Sequence, residues 1–155
     1  VLFTRWYIQP LEKLKEIPNG DGAFVALTIS CILYERYAVT VITRSGTKVT
    51  DDAKRQQLTI DFETDKNTAE AFWNIIRDGL AHEGMPLQKQ HGKSMPGWRF
   101  RHDFLKPMEL ANENGAPILL VQPWRFMDKV LSLWLDNMHL LDLSSSFPWG
   151  VIRYE

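Results

Sequence analysis

A chain of 155 residues and 18.0 kDa has the length of one domain, so no second folding unit is expected, and about two thirds of its unfolded surface should be buried on folding. Residues that are 45% hydrophobic, 24% charged and 12% aromatic exclude an intrinsically disordered chain, and a net charge of −1 excludes a global field that would draw in nucleic acid or an anionic membrane. The single cysteine, Cys31, lies in an apolar run, which excludes a disulfide framework and a Cys-rich zinc site and reads as a small buried hydrophobe.

In chain order, residues 2–17 place Leu2, Phe3, Trp6, Tyr7, Leu11 and Leu14 near helical spacing, with Pro10 as a kink or divide, and Pro-Asn-Gly-Asp-Gly at 18–22 stops the helix. A second helix is expected after Asp21 as N-cap, running through Phe24, Leu27, Cys31, Tyr34 and Ala38 to about Ile42. It is apolar nearly all round and therefore central. The β-branched run Val39 to Thr43 leaves a strand as the alternative for its end.

Arg44-Ser-Gly-Thr reads as a turn, and Asp51 or Asp52 as the cap of a shorter helix carrying Leu58, Ile60 and Phe62. Asn67-Thr-Ala-Glu70 has the form of a capping box for the next helix, whose Phe72, Trp73, Ile75, Ile76 and Leu80 make one apolar stripe before Gly84 and Pro86 end it. Beyond residue 86 the period changes. Trp98 to Phe104 alternates apolar and polar, Met108-Glu-Leu-Ala and Ile118-Leu-Leu-Val-Gln read as further strands, and together they predict a small antiparallel β element at about 97–122. Pro123 suits the first turn of a last helix carrying Phe126, Met127, Val130, Leu131, Trp134, Leu135, Met138 and Leu141. Phe147, Trp149 and Ile152 are candidate docking residues in a loop-like tail.

No Gly-rich nucleotide loop, helical two-His zinc motif or G-x-S-x-G elbow is present, and no two of His82, His91, His102 and His139 stand three or four apart, so no metal or cofactor is expected. There is no basic and apolar leader pattern at the start and no uninterrupted apolar run of about 18 residues. The expected location is cytoplasmic, without membrane association.

The informative segment is Phe72-Trp-Asn-Ile-Ile-Arg-Asp-Gly-Leu-Ala-His-Glu-Gly-Met-Pro86, in which an amphipathic helix delivers Arg77, then the polar Asp78, then His82. This segment resembles the HEPN family, helical-bundle proteins whose motif is Arg, four to six residues, then His, often with a polar residue directly after the Arg. The resemblance covers residues 1 to about 86 and the last helix. It implies a predominantly α, up-down HEPN-like bundle over residues 1–155, with the β element inserted before the last helix. It also implies a metal-independent endoribonuclease acting as a homodimer, a toxin or defence component with an antitoxin or nucleotidyltransferase partner. The alternative it implies is a non-catalytic dimeric module that binds RNA, nucleotide or a partner protein.

The residue types fit RNA chemistry, because RNA carries its own nucleophile in the 2′-hydroxyl. His82, of a type with an unperturbed pKa of about 6.5, would serve as acid/base. Arg77 would hold negative charge on the phosphate, and Asp78 would orient a side chain. On an ideal helix residues five apart differ by about 140°, so Arg77 and His82 do not share a face. A turn distorted at Gly79, or two copies meeting across a two-fold axis, would bring them together. The opposing interpretation is that Arg77 and His82 are helix-end cations placed favourably toward the macrodipole.

Two further groups matter. Glu35-Arg36 interrupts the apolar second helix, where a charge needs a partner: Glu35 either orients Arg77 or His82, forms a buried ion pair, or is exposed. Lys93, Arg99 and Arg101, with Lys89, Lys106, His91 and His102, either track an RNA backbone or form the solvent face of an amphipathic strand whose Trp98 and Phe100 are core. Trp6, Tyr7, Trp73 and Trp134 are expected in the core or at a dimer interface.

Overall fold

The computed structural model describes residues 3–90 and 92–141, so the tail residues Phe147, Trp149 and Ile152 and the basic-segment residue His91 lie outside the described residues. A π-helical turn, Thr4–Ile8, runs directly into α1 (Gln9–Leu14), and Pro10, which has no N–H to give the ladder, stands where the one passes into the other. A 3₁₀ turn at Pro18–Gly20 follows, with Asn19 and Gly20 both in the left-handed region. Then comes α2 (Ala23–Arg44).

Asp21 does not cap α2. The N-cap is Gly22, which has no side chain to accept a hydrogen bond, because a Cβ there would strike the Leu14 carbonyl oxygen at the end of α1. Nor does α2 end as a strand. The Thr40 and Thr43 hydroxyls donate to the carbonyls of Arg36 and Val39 at 3.0 and 2.7 Å, while Ala38, Thr40 and Ile42 are buried. Packing overrides the β-branched propensity. By length and average apolarity α2 could cross a membrane; here 56% of its most apolar window is buried inside the fold.

The caps of the next two helices sit one or two residues upstream of the expected positions. For α3 (Asp51–Asp61) the cap is Thr50, whose Oγ1 accepts from the Ala53 amide, leaving Asp51 and Asp52 in the first turn, where their charge suits the helix dipole. For α4 (Lys66–Phe72) it is Asp65, accepting from both the Thr68 amide and hydroxyl at 2.8 Å, so Asn67 to Glu70 lie inside the helix and form no capping box. From α4 the chain continues through a π-helical turn, Trp73–Arg77, into α5 (Asp78–Glu83), and left-handed Gly84 ends it.

Two short strands, β1 (Lys89–Gln90) and β2 (Lys93–Ser94), pair antiparallel. The main sheet is β3 (Gly97–Phe100), β4 (Met108–Glu113) and β5 (Ala116–Val121) in the order β3-β5-β4. It is mixed, not antiparallel throughout: β4 pairs antiparallel with β5, but β3 runs parallel to β5, Trp98 opposite Leu119. The continuous apolar run of β5, buried at Leu119, Leu120 and Val121, takes the centre, while the alternating Trp98-Arg-Phe pattern serves at an edge. Asn114-Gly115, both at positive φ, turns the hairpin.

The last long helix, α6 (Pro123–Asp136), starts at Gln122, whose side chain accepts from the Trp124 amide, and a short α7 (Met138–Leu141) follows. The molecule is thus mostly helical, with the small sheet before α6. α6 lies along α2: the Trp134 indole donates to the Leu33 carbonyl at 3.0 Å, and Phe3 stacks on Trp134 at 4.9 Å. Phe126 is the hub of the core, 4.9 Å from Phe62 and 4.7 Å from Phe72.

Gly79 is helical and does not provide the expected distorted turn; the irregularity lies one turn earlier, at Trp73–Arg77. What Gly79 provides is room. A Cβ there would meet the Met85 oxygen, the Leu87 nitrogen at 2.6 Å and Pro86 Cα at 2.8 Å, where the returning chain crosses α5 and the Leu87 amide donates to the Ile75 carbonyl. Helix propensity favours Gly79→Ala by about 1 kcal/mol. Overpacking against backbone, typically about 1–3 kcal/mol and here with no flexible neighbour to yield, should win. The variant is expected to lose stability in chemical denaturation; a stabilised variant would show that the 85–87 crossing yields easily.

Candidate functional site

Glu35 stands on α2 between the buried Tyr34 and Leu33 on one side and Tyr37 and Ala38 on the other. A carboxylate there must be paired or solvated. Two elements supply its partners. From α3, Lys54 Nζ lies 2.9 Å from Glu35 Oε1. From the π-helical turn, Arg77 donates to Glu35 Oε2 through Nε at 2.9 Å and through Nη2 in a very short contact. Arg77 Nη1 donates to Asp78 Oδ1 at 2.7 Å.

Both cations also lie over the buried indole of Trp73, Arg77 at 5.2 Å and Lys54 at 5.8 Å from the ring centroid. Beside them Arg55 Nη2 donates to Asn74 Oδ1 at 2.9 Å and Nη1 to Asp52 Oδ1 at 3.1 Å. The four charged side chains at the centre are mostly sheltered, from 15% exposed for Lys54 to 24% for Glu35.

The electrostatics follow from these contacts. Burial pushes the Glu35 carboxyl up, but the hydrogen bonds from Arg77 and Lys54 outweigh it and hold the group below the ordinary glutamate value. Burial works against the Arg77 cation too, and the bonds to Glu35 and Asp78 more than offset it. Cys31 next to them is buried, its thiol pushed well up by desolvation, so it is not a poised nucleophile. Between Cys31, Ile32, Leu80 and the Glu35–Arg77 pair the surface opens into a cleft of about 40 Å³, room for water rather than for a nucleotide.

The structure joins Arg77, Asp78 and Glu35, and adds Lys54, which the sequence reading missed. No local signal marks Lys54; the unpaired charge on an otherwise apolar helix was the one hint that a cation must arrive from elsewhere. His82 is not joined to them. It is exposed on the last turn of α5, and among the described residues its side chain makes no hydrogen bond. Arg77 and His82 thus follow one another along the chain with no hydrogen bond between their side chains.

Two of the basic candidates are paired with acids. Arg99 reaches across β5 to Glu113 with bonds of 2.9 and 3.1 Å, and Arg101 grips Asp103 at 2.9 and 2.8 Å, holding that carboxyl down at about 2 through the Arg101 hydrogen bond. Lys93 is exposed on β2. Trp98 and Phe100 are half-buried against the core, Phe100 beside Phe24, so the strand is amphipathic with its arginines outward. Among the described residues no three His, Cys, Asp or Glu side chains gather to hold a metal.

No family model, curated protein or solved structure matches the chain.

The lowered Glu35 value sets a pH dependence with a definite sign. A carboxyl whose folded value lies below its unfolded value of about 4.3 stabilises the fold above that pH, and loses the contribution as pH falls through the folded value. Asp61, pushed up by burial, acts in the opposite sense and is common to wild type and variant. Glu35→Gln should therefore be less stable than wild type at neutral pH, and the gap should narrow as pH falls below about 4.3. Thermal melts across that range check it; a gap independent of pH would mean that the Glu35 charge contributes nothing to folding.

Proposed function

We propose that this chain is a HEPN-like, metal-independent endoribonuclease that works as a homodimer, in a toxin or defence role. The observation that carries the reading is the state of Arg77. It is not a solvated cation at a helix end: it is sheltered, laid over Trp73 and held by three charge-assisted bonds to Glu35 and Asp78, one turn before the exposed His82. The small size of the cleft in one protomer supports a composite site formed with a second copy.

In this mechanism His82 accepts the proton of the RNA 2′-hydroxyl as its oxygen attacks the adjacent phosphorus. The new O2′–P bond forms as the P–O5′ bond breaks, and the leaving 5′ oxygen takes a proton from the second copy's imidazolium. Arg77 stabilises the negative charge that builds on the non-bridging oxygens. Asp78 positions Arg77, and Glu35 aligns it in the ligand-free chain. An antitoxin or a nucleotidyltransferase is the partner class that such a role implies.

A second reading is favoured by a specific observation. Every nitrogen of Arg77 already donates to a carboxylate of its own chain, and His82 has no orienting bond, which suits a non-catalytic dimeric module that binds RNA, nucleotide or a partner protein.

Incubation with single-stranded RNA in EDTA separates the two. The nuclease reading expects products with 2′,3′-cyclic phosphate ends, and a loss of about a hundredfold or more in rate for His82→Ala and for Arg77→Ala with fold intact. Undiminished cleavage in either variant would overturn the assignment, and no cleavage by folded wild type would favour the binding module. A monomer by size exclusion at micromolar concentration would contradict the composite site.

A further inference from the structure

Resting on the RNA-directed reading of this site, we infer that Lys54 is a second phosphate-binding cation and that the Glu35 carboxylate is an internal anion occupying the phosphodiester seat, exchanged for an RNA phosphate when ligand binds. The geometry is that of an anion site already filled. Two cations from different elements converge on one carboxylate, Lys54 on Oε1 and Arg77 on Oε2, and a single indole underlies both. A phosphodiester presents the same feature, two oxygens sharing one negative charge, to which an arginine fork and a lysine point charge are both suited.

Charge makes the exchange balanced. With Glu35 in place, its charge and that of Asp78 cancel those of Lys54 and Arg77. With Glu35 swung out, the seat is left with one surplus positive charge, which one phosphodiester neutralises. Lys54 then keeps the Trp73 ring and a long 3.5 Å bond to the exposed Asp51, a weak pair beside the one lost to Glu35.

Exchange is also sterically open. Glu35 lines the cleft beside Arg77 and is the most exposed of the four side chains, so its carboxylate can turn to water on a flexible stem while the α2 backbone stays fixed. Arg77 and Lys54 stay in place over Trp73, which is 1% exposed. The contact would thus act as a latch: it keeps the cations aligned without ligand and competes with weak anions.

The test uses the full chain and a short 2′-O-methyl RNA oligonucleotide, which lacks the nucleophile and is not cut, with binding followed by fluorescence anisotropy in EDTA from about 50 to about 200 mM salt. Glu35→Gln should bind about tenfold more tightly than wild type, because the competing charge is gone. Lys54→Met should bind more weakly, with a dependence of log affinity on log salt shallower by about 0.7, the share of one phosphate contact. Lys54→Met added to Glu35→Gln should cancel the gain.

A folded Glu35→Gln that binds no better than wild type, or no binding by either, overturns the latch. An unchanged salt slope in Lys54→Met overturns the second cation, and that variant decides alone if Glu35→Gln does not fold. The two proposals fail separately. Tighter binding by Glu35→Gln without any cleavage of ordinary RNA keeps the seat and removes the chemistry; cleavage with a silent Lys54→Met does the reverse.

Discussion

One carboxylate on the most apolar helix of the chain sets a condition that three elements must meet together. Leaving Glu35 charged and unpartnered between buried turns of α2 would cost several kcal/mol, far more than a surface mismatch. Lys54 from α3 and Arg77 from the π-helical turn satisfy it, and in doing so they fix how those elements approach α2. The apolar core around Phe126 supplies the driving force and much of the fit between helices. The ion network adds directional bonds that favour one register.

The π-helical turn and Gly79 serve the same end from the other side. A π turn inserts one residue into the helix and rotates the later residues around its axis, and here Trp73, Asn74 and Arg77, which reach the polar cluster, all lie within it. Gly79 then lets residues 85–87 cross close to the helix, so that Leu87 bonds to Ile75. The small sheet leads into α6, which packs along α2. Site and core thus share α2, and changes in core packing transmit to Glu35.

Much of this was legible in the sequence. The long apolar helix, the stripe from Phe72 to Leu80, the strand-rich segment and Pro123 at the head of α6 follow from periodicity and backbone chemistry, which are local properties. The caps were misplaced because Thr50 and Asp65 were passed over for neighbouring acids and a box pattern, and only backbone geometry shows which oxygen faces the free amides. The sheet was misordered because alternation identifies a strand without its neighbour; the continuous run in β5 was the clue to a central position. At the site, Glu35 was readable as a charge on an apolar helix, and Arg77 and Asp78 through the resemblance of their segment to the Arg-x4-His motif. Lys54 was not, because its role depends on α3 meeting α2, a long-range contact with no sequence period. The π-helical turns left no local mark at all.

A double-mutant cycle between Glu35 and Arg77, using Glu35→Gln and Arg77→Met with chemical denaturation at neutral pH, tests most directly whether this network organises the fold. Its coupling energy isolates the pair from the separate cost of each change. A sheltered pair that fixes helix register should couple favourably by about 1–2 kcal/mol. A coupling below about 0.3 kcal/mol, the value of an exposed surface pair, would show that the helices take their places without it.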